Sequence, residues 1–287
     1  MAIRTAAKLA ANRLLAPLNL RVETLTERQL DEARIGALAE AGHFAEPVFP
    51  LPEAFASMAD AELLEAIRGY RPRFDSFEDL SLNEVGYSFD NLFFSSPDAE
   101  VLYTIVREHR PGTVVEVGSG HSTRVTRQAI IDGGLDTTLV CIDPEPRVEI
   151  TALADRVYEA PVESLGASEV RGLLAAGDVL FIDSSHRIRT GNDTVFLFLV
   201  LLPSLRSGVL VHVHDVFLPY DYPLEWALDE KRAWNEQYLV QAMLMFGDEF
   251  EILWAGHYLQ RRDPEFVEHF PHSKGRLAGS LWLRKRG

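Results

Sequence analysis

The sequence predicts a doubly wound α/β fold: a mostly parallel, seven-stranded sheet covered on both faces, preceded by a helical N-terminal extension. Three observations predict it. From residue 97 on, short apolar runs alternate with helix-length amphipathic segments. Several of these runs are apolar nearly throughout, the pattern of strands buried on both faces. The first of them, TVVEV, breaks into Gly118-Ser119-Gly120 and runs straight into a helix.

Taken in order, residues 1–75 read as helical and hold little that looks catalytic. Thr26-Glu27-Arg28-Gln29 offers a capping box ahead of LDEARIGALAEAG, which closes on Gly42. Pro47, Pro50 and Pro52 mark a loop, and Ala59–Gly69 a short helix. Ser96-Pro97 is a cap with proline at the first helical position, opening DAEVLYTIVREH; Pro111-Gly112 ends it. Strand TVVEV and helix STRVTRQAII follow. TTLVCID is the second strand, Arg156-Val157-Tyr158 a weak third, DVLFID the fourth and GVLVHVHDV the fifth. Helices are expected over Ser168–Ala176 and Asn192–Leu205, with Asn192 as N-cap of the latter. Leu218–Met245 is a long aromatic insertion with a helical middle. EFEILWAGHYL and GSLWLRKR close the fold as two strands, read as antiparallel.

Composition excludes several functions. The formal net charge of −15 over 287 residues makes general nucleic-acid binding a poor fit, because phosphate neutralisation needs clustered Lys and Arg. Cys141 is the single cysteine, so an internal disulfide and a cysteine-based zinc site are both ruled out. No apolar run reaches the roughly 18–20 residues of a membrane span. The N-terminal stretch, with Arg4, Lys8 and Arg13 among Ala and Leu, lacks a secretory pattern and reads as a helix packed on its own protein or a partner. A soluble cytoplasmic protein is the expectation.

Two constellations carry chemistry. Glycines one residue apart between a strand and a helix let backbone approach a ligand closely, and the helix N–H groups add partial positive charge. Thr123 stands where a dinucleotide fingerprint would want its third glycine, which disfavours a pyrophosphate. Asp143 ends the next strand and can accept hydrogen bonds from two ribose hydroxyls. Glu116 inside the first strand can order the loop or hold an ammonium group. The second constellation lies at the ends of strands four and five, FIDSSH and HVHD. There Asp183, His186, His212, His214 and Asp215 bring imidazole and carboxylate groups together, the donor types of a divalent metal site. His212 and His214 are two apart and share a face. His212, deeper in its strand, reads as a satisfied core histidine.

VVEVGSGHST followed by LVCIDPEP resembles the first two motifs of class I S-adenosylmethionine-dependent methyltransferases, in particular the bacterial small-molecule branch similar to macrolide-sugar and catechol O-methyltransferases. The similarity extends over about residues 84–287, leaving 1–83 as the extension and 218–245 as an insertion of lid type. The resemblance implies a Rossmann-like fold and S-adenosylmethionine as cofactor. Gly118 and Gly120, with Ser119 and Ser122, would line its methionine part, Asp143 its ribose, and Glu116 would sit near the methionine end. Tyr87 and Asn91 in YSFDNLFFSSPDAE would cover the cofactor, and Ala160–Glu163 would approach the adenine. It also implies a metal at Asp183 and the His214-Asp215 pair, with His186 as general base on a small-molecule hydroxyl. The divalent ion stands among Mn, Fe, Mg and Zn, and His214 departs from the acidic or amide residue of that pattern: either the ion is one that suits imidazole better than Mg does, or His214 is not a ligand and the site is degenerate. Tyr220, Tyr222, Trp226 and Trp234 could wall a substrate, and the insertion could also form a homodimer surface. An iron oxygenase on the same fold and a degenerate cofactor-binding regulator stay open as alternatives.

Overall fold

The computed structural model describes residues 2–23, 25–58, 61–79 and 85–287. Among them, one sheet is built from β1 (Thr113–Val117), β2 (Thr138–Ile142), β3 (Arg156–Tyr158), β4 (Val179–Ile182), β5 (Leu210–Val213), β6 (Phe250–Ala255) and β7 (Leu281–Lys285). The spatial order is β3-β2-β1-β4-β5-β7-β6. The first five strands are parallel, and β7 runs antiparallel to both β5 and β6. This is the Rossmann-like, doubly wound sheet that the sequence predicts. The chain reverses its winding between β1 and β4, and a crevice opens outside the carboxyl ends of strands at such a point.

Strand alternation sends two core layers to opposite faces. One face sets Val115, Val117, Val140, Leu180, Ile182, Val211 and Val213 against Val170, Leu197, Leu201 and Val240. The other sets Val114, Leu139, Val179, Phe181 and Leu210 against Val101, Leu102, Ile105, Val125 and Ala129. Those last residues lie on helices Asp98–His109 and His121–Gly133, which the sequence pattern places within a residue or two of where they form. Glu116 shares the Val114 face, so its carboxyl is delivered to the start of helix His121–Gly133.

Local details differ from expectation. Ser96 does not cap helix Asp98–His109; its hydroxyl donates instead to Glu100 Oε1 at 2.7 Å. The sixth strand stops at Ala255: after one last bond to the neighbouring strand, from Gly256 N–H to Ser280 O, the chain turns into helix Gly256–Arg262. Helix Leu25–Glu40 already contains Thr26, and the side chains of the expected capping box lie largely outside the described residues. Asn192 caps as expected, its side chain accepting from Val195 N.

The chain divides into two compact units, Met1–Val48 with Tyr222–Arg232, and Phe49–Asp221 with Ala233–Gly287. In the smaller, no residue from 6 to 22 is buried, and Lys231 pairs with Glu32 at 2.7 Å. Trp226 of that unit is covered by the Arg232 guanidinium. The larger unit holds the sheet and everything below. No helix among the described residues is long and apolar enough to cross a membrane.

Candidate functional site

The glycine turn answers to two different needs. Gly118 has φ +82°, and a Cβ placed there would lie 1.9 Å from the backbone oxygen of Asp183. Only glycine lets the β1 turn pass this close to the end of β4. Gly120 has φ 178°, extended backbone open to any residue, and a Cβ there would meet nothing within 4 Å. Gly118 therefore closes the scaffold, while Gly120 leaves space in front of helix His121–Gly133. The turn is fixed from below by Glu116, which is almost fully buried. Ser122 Oγ donates to its Oε1, and Thr123 Oγ1 to its Oε2 at 2.6 Å. Burial drives the Glu116 carboxyl up to about 7, outweighing these donors.

Asp143 sits across the crevice. Its Oδ2 accepts from Ser119 N at 2.9 Å and Ser119 Oγ at 2.7 Å, and its Oδ1 accepts from Glu145 N at 2.9 Å. A carboxylate offers about four acceptor sites and three are used here, so the group is held in place with acceptor capacity to spare. A cleft of about 520 Å³ opens here, lined among others by Gly118, Ser119, Asp143, Pro161, Val162, Glu163 and Asp183. That volume lies within the range of small-molecule sites. A smaller cavity of about 120 Å³ adjoins it, bounded by Phe93, Phe94, Gly118, Gly120, His121, Ser122, Arg147 and Asp183. Gly118, Ser119 and Asp183 line both.

Beyond Asp183 lies the second constellation. One donor atom each from Asp183, His186 and Asp215 falls within 4.8 Å of the others, a spacing and donor set that fit a divalent ion. His186 Nε2 is 3.1 Å from Asp183 Oδ1 and 3.7 Å from Asp215 Oδ2. Its Nδ1 bonds the buried Glu236 carboxylate. Both His186 (φ +56°) and Asp215 (φ +57°) occupy the left-handed region without being glycine. That conformation is costly outside glycine and concentrates at functional sites. Ser185 N and Oγ bond Asp193 at 2.8 and 2.7 Å, which pins the loop carrying His186. Burial would lower the His186 pKa, but Glu236 and Asp183 outweigh it and hold it well above its ordinary value. Burial would raise the Asp183 pKa, but His214, His186 and His212 hold it below the usual carboxylate range. Asp215 goes the other way, pushed up to about 6 by burial despite its histidine neighbours.

Not every expected residue arrives where the sequence reading put it. His214 is outside the three-donor group: its Nε2 stands 3.7 Å from Asp215 Oδ1, and its ring lies against Phe94 and His212. The pleat carries it to the His212 face, whereas the turn at Asp215 swings that carboxylate towards His186. His186, expected as a base, stands instead among the donors. Tyr87 and Asn91 line neither cavity. Tyr87 is buried and donates to Phe94 O at 2.9 Å; Asn91 donates to Ser88 O and Phe94 O and accepts from Phe93 N and Phe94 N. They shape the loop that presents Phe93 and Phe94. Glu116 likewise lines neither cavity, being consumed by Ser122 and Thr123. His212 is a core histidine, bonded to Ser280 Oγ at 3.0 Å and stacked on Phe181. Of the four insertion aromatics, Trp234 meets the cluster, its ring 4.2 Å from that of His186.

Sequence reasoning missed Glu236, Arg147 and His121. Glu236 follows no motif and lies 50 residues from the histidine it holds. His121 and Arg147 sit inside quoted motifs, and the only available signal was their adjacency to Gly120 and Asp143.

No curated protein matches the chain. Several solved structures resemble it at low identity. The SAH-bound methyltransferase PaMTH1 of Podospora anserina is 19% identical, with 93% of this chain and 100% of that one covered at a TM-score of 0.42. The cofactor-bound Rv0187 from MTB is 16% identical, with 73% and 88% covered at 0.41. The O-methyltransferase from Bacillus cereus in complex with SAH is 12% identical, with 90% and 99% covered at 0.40. The fold rests on the strand order itself rather than on these likenesses. Residues 115–216, from β1 to the turn after β5, match the model of a family described as a methyltransferase domain.

Proposed function

We propose that the chain transfers a methyl group from S-adenosylmethionine to a hydroxyl of a small molecule, with a divalent ion held by Asp183, His186 and Asp215. One observation carries this reading: Asp183 lines both cavities of the crevice and is also a donor of the three-residue cluster. A donor seated along the glycine turn would therefore end where an acceptor held at the cluster begins. The family match over residues 115–216 supports the methyl-transfer part of this reading.

In this arrangement Asp143 would accept from the ribose hydroxyls, and Pro161 and Val162 would pack against the adenine. Gly120 and the start of helix His121–Gly133 would leave room for the amino-acid end, whose carboxylate suits a helix N-terminus. The acceptor hydroxyl gives up its proton to solvent as the acceptor binds; its oxygen then forms the new C–O bond as the methyl carbon leaves sulfur, and the S–C electron pair stays on sulfur. What the protein contributes is alignment and exclusion of water, the larger part of the acceleration in such displacements. A bound divalent ion would supply Lewis acidity that lowers the pKa of the acceptor hydroxyl. With Nδ1 engaged by Glu236, Nε2 is the nitrogen His186 has left to offer, and it faces the two carboxylates. An Nδ1 partner serves a base and a ligand alike; what favours a ligand over the base first expected is that Nε2 stands with two carboxylates as one of three donors.

The test is label transfer from methyl-tritiated S-adenosylmethionine to a panel of catechols, sugars and polyketide alcohols, with Mn, Fe, Zn or Mg supplied. Metal-dependent transfer that is lost in Asp183→Ala is expected. Transfer to amines alone, without metal, would overturn the hydroxyl assignment.

A further inference from the structure

We infer that Glu236 is a positioning residue for the cluster, fixing the His186 ring so that Nε2 points at Asp183 and Asp215 and the two carboxylates become a three-donor site. The inference rests on the proposed metal site and adds a residue that no motif marks.

The chain after β5 grips the His186 loop at several points. Glu236 bonds His186 Nδ1, and Asn235 N donates to His186 O at 2.9 Å. Ile188 N donates to Asn235 Oδ1 at 2.5 Å, and Trp234 lies against the imidazole face. Three consecutive residues, 234–236, thus meet the ring face, the backbone and the Nδ1 of one histidine. The next residue, Gln237, accepts through Oε1 from Phe217 N at 3.0 Å, tying the same segment to the exit of β5 just beyond Asp215.

Glu236 is 1% exposed, and among the described residues its Oε2 has no hydrogen-bond partner. A carboxylate buried with one oxygen unpaired is costly, and a purely structural contact to an imidazole could be made by a neutral amide. What a carboxylate adds is a fixed tautomer: it accepts from Nδ1–H, and this leaves the Nε2 lone pair for a ligand. Metal-binding histidines carry such a partner almost without exception, and it raises the basicity of the ligating nitrogen. His186 is left-handed and unsupported by regular secondary structure, so without this clasp its χ angles would be free to turn the ring out of the cluster. The donor set that results contains an imidazole, which favours Mn, Fe, Co or Zn over Mg.

Cobalt(II) titration of the full chain, read by calorimetry and by visible absorption, tests this, with S-adenosylhomocysteine titrated in parallel. The expected result is one cobalt per chain and a weakening of about 10–100-fold in Glu236→Ala. Glu236→Gln, whose amide oxygen can still accept from Nδ1–H, should recover part of that loss. S-adenosylhomocysteine affinity should stay within about twofold in both, since Glu236 does not reach the crevice. The inference is overturned if Glu236→Ala or Glu236→Gln binds cobalt with wild-type affinity and spectrum. It is also overturned if the wild type binds no cobalt; retained S-adenosylhomocysteine binding would then leave the methyl-transfer reading standing without its metal. Should Glu236→Ala fail to fold, the glutamine variant alone decides.

Discussion

The crevice at the ends of β1 and β2 and the cluster at the ends of β4 and β5 hold acids of opposite character. Glu116 faces hydroxyl donors and is pushed up to about 7 by burial. Asp183 is opposed by burial too, yet three histidines hold it well below the usual range. Hydroxyls satisfy a carboxyl without compensating its charge; imidazoles compensate it. One region is accordingly a glycine turn braced from beneath by a carboxyl bonded to two hydroxyls, the other a concentration of charge suited to an ion. They touch at Gly118 and Asp183.

That junction offers the largest effect. Gly118→Ala would drive a Cβ to within 1.9 Å of the Asp183 carbonyl at a positive φ. A loss of several kcal/mol is expected, read by denaturant unfolding, with both S-adenosylhomocysteine and cobalt binding impaired. Unchanged stability would mean that the two regions are not joined as described. Asp183→Ala should separate them: metal affinity falls by about 100-fold or more, and S-adenosylhomocysteine binding survives. Equal loss of both ligands would merge the regions into one.

Acidity distinguishes them next. Glu116 is protonated in the folded chain up to about pH 7 and in the unfolded chain only up to the ordinary glutamate value of 4.5. Between those values the folded state binds the extra proton, so stability falls as pH rises through this window and is flat above it. The fall amounts to at most about 3 kcal/mol. Glu116→Gln should remove it, and thermal melts of both proteins at pH 5 and pH 8 check this. A difference that does not depend on pH would place the Glu116 carboxyl near its ordinary value. The smallest effect belongs to Gly120→Ala, whose Cβ enters open space. Its melting temperature should match the wild type, while S-adenosylhomocysteine affinity drops by about tenfold through crowding of the cradle.

The same contrast explains how much could be read in advance. The mostly parallel sheet and its glycine turn were legible because their determinants are local: apolar runs, two glycines, and an acid at the next strand end. The cluster was half legible. Asp183 and Asp215 stand at strand ends, but whether His186 or His214 joins them depends on left-handed turns at His186 and Asp215 that residue types do not announce. Glu236 was invisible, since its partner is 50 residues away and a glutamate at the start of a helix reads as ordinary first-turn acid. Tyr87 and Asn91 were placed near the right loop, though their hydrogen bonds go into building it.

The most direct test is a calorimetric titration of S-adenosylhomocysteine into the wild-type chain and Asp143→Ala, both shown folded by their melts. Two hydrogen bonds from ribose hydroxyls to a charged acceptor amount to about 3 kcal/mol, so binding by the wild type and a loss of about 100-fold in the variant are expected. Equal affinity in the two proteins, or no binding to the wild type, would contradict the placement of an adenosyl ligand in this crevice.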